Sequence, residues 1–253
     1  MTSAKNGVRI RSFRKADSKH VQDLFMEAMA YGPGSPLRSA LRDHISEPTS
    51  YLTYALALTG GAIAACAPRH KAFGAVLSIS AAGWFFAYRR LLWNSFINYF
   101  DMSLKDDLAD IATHYKIKPV HPGSDELEPS GPSGFWVIES DLPNNRGSEI
   151  VGCVGLDCQY KDGVIRGELR RMNVSPRHRR MGIAALLIET LIGHARKHHL
   201  QTVWLGTTGH QKPAISMYEK FGWVESSRQL IREGPVSLVM LEYRLDLAYP
   251  GTL

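Results

Sequence analysis

Two stretches dominate the hydrophobic pattern of this chain. Tyr51 to Ala67 and Ala72 to Tyr88 are uncharged runs of 17 residues with 13 apolar members each, separated only by Pro68, Arg69, His70 and Lys71. As helices at about 1.5 Å per residue, each is roughly 25 Å long, just under the roughly 30 Å hydrocarbon thickness of a bilayer. Helices packed in a water-soluble core normally keep a polar stripe, and neither run has one. The pattern predicts an inserted hydrophobic helical hairpin over residues 51–88 that dips into or through a membrane, with lipid as its partner. Outside it lie Arg38, Arg42, Arg89, Arg90 and Lys105, against Arg69 and Lys71 at its turn. By the positive-inside rule both ends, and with them the rest of the chain, face the cytosol.

Elsewhere the periods are those of a folded domain. Val8 to Phe13 alternates as a strand, and Asp17 or Ser18 is placed to cap a helix from Lys19 to Ala30 with Val21, Leu24, Phe25 and Ala28 on one face. Asp106 to Tyr115 predicts a short helix. Pro119 to Gly134, with four prolines and three glycines, predicts a solvated loop. Phe135–Ser140, Ile150–Tyr160 and Val164–Val174 read as strands joined by turns at 143–147 and 161–163, an antiparallel meander. A helix from Gly182 to about His199, a strand Thr202–Leu205, a helix Pro213–Lys220 and strands near Trp223–Ser227 and Val236–Leu245 complete the order. This is an α/β chain with a mixed, mostly antiparallel central sheet flanked by helices.

Composition alters that picture little. At 253 residues, 44% hydrophobic and 21% charged, the chain is globular, which excludes wholesale disorder. A net charge of +6 leaves nucleic acid, an anionic membrane and a phosphate-bearing ligand open. The arginines gather at one turn rather than interleaving with aromatic residues on a face, which argues against nucleic acid. Cys66, Cys153 and Cys158 are odd in number and lack a CxxC or His-paired spacing, so a reducing compartment and no metal are expected, with Cys153 and Cys158 as strand fillers. Met1 to Arg14 is polar and basic without an apolar region behind it, so no signal peptide is expected. Thr2 stands where myristoylation needs glycine, and Gly251-Thr252-Leu253 is no retention sequence.

The densest chemistry lies in Val174-Ser175-Pro176-Arg177-His178-Arg179-Arg180-Met181-Gly182-Ile183-Ala184-Ala185-Leu186. A strand ends, a basic turn follows, and a helix begins at a glycine that lets a ligand approach the backbone. Unpaired N–H groups, the partial positive charge of the helix start and Arg177, Arg179 and Arg180 together make a pyrophosphate seat.

Arg179 to Ala184 resembles the acyl-CoA signature (Gln/Arg-x-x-Gly-x-Gly/Ala) of the GNAT superfamily of N-acetyltransferases. Ala214-Ile215-Ser216-Met217-Tyr218-Glu219-Lys220-Phe221-Gly222-Trp223 is similar to that superfamily's late helix. The membrane-bound camello-type branch is closer still. It has a hydrophobic segment between its first helix and second strand, and stretches similar to Asp101–Leu104, Asp107–Ile111, Gly134–Val137 and Leu205–Thr208. The likeness runs from Val8 to about Leu247, departing in the loop 119–133 and at Trp223, where Phe is commoner. It implies one GNAT-like domain over residues 1–253, interrupted at 51–88, with a catalytic core at about 95–247.

The resemblance further implies direct acetyl transfer from acetyl-CoA to the amine of a small molecule such as an amino acid or a cysteine S-conjugate. Met172, Asn173 and Val174 would bond the pantetheine arm and thioester through their backbone, and Arg179, Arg180, Met181, Gly182, Ile183 and Ala184 would hold the pyrophosphate. A strand N–H polarising the thioester carbonyl is worth about 3 kcal/mol. Tyr218 would protonate the departing thiolate, the alternative being a core aromatic packed with Ala214 and Phe221. Glu168 would accept the amine's proton, directly or through water, the alternative being a surface carboxylate. Gln211 stands where many members have a CoA-contacting Asn.

His194, His198 and His199 crowd a helix end that favours positive charge and are expected to be solvated. Asn173-Val174-Ser175 matches a glycosylation sequon but lies inside the proposed CoA strand. A protein lysine acetyltransferase at the endoplasmic reticulum membrane and a catalytically silent acyl-CoA binder are the other readings. The branch implies the endoplasmic reticulum.

Overall fold

The computed structural model describes residues 7–142, 147–161 and 164–247. The turns expected at 143–146 and 162–163, the leading residues 1–6 with Thr2, and the chain end at 251–253 lie outside these residues. In chain order the elements are β1 (Val8–Ser12), α1 (Ser18–Met26), α2 (Pro36–Asp43), α3 (Pro48–Cys66), α4 (Lys71–Lys105), α5 (Ile111–His114), β2 (Ile117–Pro119) and β3 (Leu127–Pro129). Then come β4 (Gly134–Asp141), β5 (Ser148–Lys161), β6 (Val164–Val174), α6 (Ile183–Lys197), β7 (Thr202–Thr208), α7 (Lys212–Lys220), β8 (Val224–Glu233) and β9 (Val236–Asp246). Seven strands form one sheet in the order β1-β4-β5-β6-β7-β9-β8. Every neighbouring pair is antiparallel except β6 and β7.

The sheet is covered on both faces where the strands are apolar at every position. On β4, Trp136 and Ile138 pack toward α6, whose Ile183, Leu187, Ile188 and Leu191 are buried, while Phe135 and Val137 pack toward α1 and α4. Each such aliphatic contributes about 1.5–3 kcal/mol, so α6 docks by one face alone. On the other side Val21, Leu24 and Phe25 of α1 meet Leu92, Phe96 and Phe100 of α4.

Several expectations change. Asp17 does not cap α1; its carboxylate is buried, accepting from Arg11 at 2.6 Å and from the Arg14 amide at 2.7 Å. The helix from α1 continues through a π turn, Glu27–Tyr31. α4 does not stop at Tyr88 but runs on to Lys105, because apolar positions recur every four residues beyond Arg90. The segment 106–115 keeps only the four-residue α5. The loop 119–134 contains β3, which pairs with β2.

α3 and α4 touch through small residues. A Cβ on Gly60 would stand 2.6 Å from the Gly74 carbonyl oxygen, and the Ser78 hydroxyl donates to the Ala57 carbonyl at 2.5 Å. Leu58, Phe73, Val76, Ile79, Trp84 and Phe86 are exposed around this pair. No described helix is long and apolar enough to cross a membrane; Thr53, Thr59, Gly60 and Gly61 dilute the first apolar run, and Gly74, Ser78, Ser80 and Gly83 the second. The transmembrane form of the hairpin expectation is therefore unsupported.

Candidate functional site

The parallel contact between β6 and β7 is brief. Gly167 pairs with Val203 and Glu168 with Trp204, and beyond them the strands part. β6 departs at a bulge: Cys153 pairs with Asn173 and Gly155 with Arg170, so Arg171 and Met172 together oppose Val154. Arg171 sits at φ 53°, a left-handed conformation costing about 1–3 kcal/mol.

A buried ion pair holds that conformation. Arg171 Nε donates to Asp107 at 2.9 Å, its Nη1 to Ser103 Oγ at 2.9 Å, and the guanidinium lies over the Phe25 ring. Tyr115 donates its hydroxyl to Asp107 at 2.7 Å. Burial would raise the Asp107 pKa, but the bonds and charge of Arg171 outweigh it and hold the carboxyl low. Burial and the Asp107 charge drive Tyr115 well above the usual phenol value. Breaking such a pair costs about 3–5 kcal/mol, so Arg171 is structural. Arg170 is held loosely by comparison: its nearest carboxylate is Asp157 at 3.4 Å, with Glu168 at 3.8 Å.

Three cavities follow one another across the parting strands. A slot of about 490 Å³ is lined by Met172, Asn173, Val174, Arg179, Arg180 and Ala184, with Gln211 and Met217. A smaller cavity of about 110 Å³ is lined by Phe25, Tyr99, Glu168, Met172, Thr207, Gln211 and Tyr218. A groove of about 600 Å³ carries Asp157, Arg166, Glu168, Trp204, Glu242 and Arg244. Met29, Met172, Asn173 and Gln211 are common to the first two, and Glu168 to the last two.

At the slot's outer end Gly182 has φ 80° and nothing within 4 Å of where a Cβ would stand. As the residue preceding α6 it offers no side-chain cap, so the amides of the first turn remain available to an anion. Arg179 Nη1 donates to the Pro33 carbonyl at 2.7 Å, fastening the loop before α2 over the slot. Met181 is exposed and Ile183 is buried against Gly152; neither lines the slot, so each can serve a ligand only through its backbone. The mixture of apolar lining, arginines and free amides fits an acyl-CoA.

Burial raises the pKa of Glu168, and Arg170 partly opposes it. Burial also pushes Tyr218 up. Tyr218 packs on Trp223 at 5.9 Å between ring centroids, so it is both a core aromatic and a cavity residue. His194 is not solvated as expected: it packs on Trp136, donates to the Gly131 carbonyl at 3.1 Å, and burial lowers its pKa to about 4. Cys153 and Cys158 are buried and their thiols are pushed up to about 12. Among the described residues no group of three or more His, Cys, Asp or Glu is placed to hold a metal.

Sequence reasoning missed Asp107, Arg170, Arg171, Trp204 and Thr207 as site residues. Asp107 and Thr207 lie in stretches already noted as family-like; the arginines carried no local signal.

The profile of the Acetyltransferase (GNAT) family matches residues 89–223. The chain is 30% identical over 218 residues to the N-acetylaspartate synthetase of Homo sapiens, covering 86% of this chain and 62% of that protein's length. It is 28% identical over 254 residues to the N-acetyltransferase 8B of Homo sapiens, covering 96% of this chain and 98% of that one. Among solved structures, a GNAT-family acetyltransferase from Staphylococcus aureus has a similar fold, with a TM-score of 0.50 and 13% identity over 95% of this chain and 99% of that one.

Proposed function

Because the chain belongs to the GNAT acetyltransferase family, we propose that it transfers an acetyl group from acetyl-CoA directly to the amine of a small molecule, such as an amino acid or a cysteine S-conjugate, at a membrane surface. The observation that carries this reading is Glu168, shared by the groove and the small cavity where the slot ends. Acetyl-CoA supplies the activated acyl group.

The amides at the start of α6, with Arg179 and Arg180, hold its diphosphate, and Met172 to Val174 line the path of its pantetheine. Glu168 takes a proton from the acceptor's ammonium, freeing the lone pair that forms the new C–N bond. Tyr218 gives its proton to the sulfur as the C–S bond breaks, and the proton the new amide nitrogen must shed restores the phenol, directly or through water. A silent acyl-CoA binder needs neither residue beside the slot. A protein lysine acceptor is the second reading, favoured by the size of the groove, about 600 Å³.

The exposed apolar residues of α3 and α4 support insertion into the lipid interface rather than a span. The charge flanking residues 51–88 supports a cytosolic catalytic domain, and the reading adds the endoplasmic reticulum as the membrane.

The test is release of free thiol by the purified chain with acetyl-CoA and a panel of S-substituted cysteines, aspartate, a lysine peptide and a polyamine. Glu168→Gln should lower the rate about 10²–10⁴-fold, and the residual activity should lose its fall on the acid side. The raised pKa means that the folded state binds this proton more tightly than the unfolded chain. Its stabilising contribution is therefore full at low pH and lost as pH rises through the folded value, so Glu168→Gln should melt higher at neutral pH. An unchanged rate would remove Glu168 as the base. Absence of acetyl-CoA binding would remove the whole reading.

A further inference from the structure

Along β7 the buried positions alternate as Val203, Leu205 and Thr207. The first two are aliphatic and pack in the core. Thr207 is 4% exposed, yet its Oγ1 has no hydrogen-bond partner among the described residues. A valine would fill the same space without leaving a buried hydroxyl unpaired, and buried polar groups are otherwise almost always satisfied. The position is beyond the last β6–β7 pair, where the strands have parted, and Thr207 lines the 110 Å³ cavity with Glu168 and Tyr218.

Two of the other polar neighbours there are already engaged. Arg171 is bonded to Asp107, and Asn173 donates to the Arg171 carbonyl at 3.1 Å. Phe25, Met29, Leu169 and Met172 supply the apolar part of the lining.

Resting on the acetyltransferase reading, we propose that Thr207 is a further catalytic residue whose hydroxyl donates a hydrogen bond to the bound acetyl thioester. It transfers no proton; that remains with Tyr218 and Glu168. It fixes the thioester beyond Trp204, where β7 offers β6 no backbone partner. Thr208 provides an internal comparison, because its Oγ1 is also buried and unpartnered but it lines none of the three cavities.

The experiment compares Thr207→Val, Thr207→Ser and Thr208→Val by thermal unfolding alone, with CoA and with acetyl-CoA, and by turnover. Thr207→Val should melt no lower than the parent without ligand, lose most of the extra protection that acetyl-CoA gives, and turn over about 10-fold more slowly. Thr207→Ser should restore both the protection and the rate, and Thr208→Val should leave both unchanged. If Thr207→Val does not fold, Thr207→Ala takes its place with the same expectations for ligand protection and rate. Parental protection and rate in the valine or alanine variant would overturn the proposal, as would a serine variant no better than valine. An unsubstituted chain that acetyl-CoA does not protect would instead defeat the acetyltransferase reading itself.

Discussion

The two halves of α4 both carry large apolar side chains and have opposite surroundings. In the half nearer its start, Phe73, Val76, Ile79 and Phe86 are 63%, 62%, 71% and 68% exposed; in the half nearer its end, Leu92, Phe96 and Phe100 are 4%, 4% and 0% exposed. The second half spaces its apolar residues by four, leaves Asn94, Asn98 and Asp101 between them, and meets α1 and the sheet on that one side. The first half is apolar all round and packs on α3 along Gly60, Gly74 and Ser78, with His44 stacked on Phe85 and Tyr88 where the run ends. A stripe states where the partner is. A uniform run names no side for a partner.

The sharpest way to break this contrast is Phe100→Ala, which should lower unfolding free energy by about 3–5 kcal/mol in denaturant titrations of the purified chain. A smaller effect is expected of Gly74→Val in the first half. Its Cβ would meet the Gly60 carbonyl oxygen and the Ala64 amide nitrogen, both at 2.5 Å and both backbone, so α3 and α4 must separate. That overpacking should cost about 1–3 kcal/mol and open the turn at 68–70 to protease, with the sheet's unfolding unmoved. The smallest effect belongs to Ile79→Ser, within about 0.5 kcal/mol in detergent, together with less of the chain floating with anionic vesicles. Should Ile79→Ser destabilise as strongly as Phe100→Ala, the first half is packed on protein and the contrast is false.

What was legible in the sequence was whatever repeats locally. The turn expected at 161–163 and the basic turn after Val174 bound β6 at both ends, and the spacing of Ile183, Leu187 and Leu191 marks α6. The seat at Gly182 was legible because its ingredients adjoin one another in the chain. The bulge at Arg171 was not, since it depends on Asp107, 64 residues away, and no pattern near Arg171 distinguishes it from Arg170. Thr207 was hidden for a related reason: a buried hydroxyl in an apolar strand looks like an ordinary β-former until the neighbouring strand is seen to leave. β3 was lost because prolines at 119, 129 and 132 outweigh a ladder of three residues. The length of α4 was underestimated because Arg89 and Arg90 look like an end when they are a midpoint; Arg89 bonds the Leu41 carbonyl at 2.7 Å and ties α2 to the helix there.

α4 also supplies Tyr99 to the lining of the small cavity. From Tyr88, where the apolar run ends, to Tyr99 is one uninterrupted stretch of helix, about 16 Å at 1.5 Å per residue. With the first half of α4 in a bilayer, the reaction would be held at a set height above the lipid, on a stalk without a hinge. Amines that gather among the headgroups would then meet the cavity at the concentration set by their partitioning, not by their abundance in water. Two acceptors of equal intrinsic reactivity would be acetylated in the ratio of their affinities for the membrane surface.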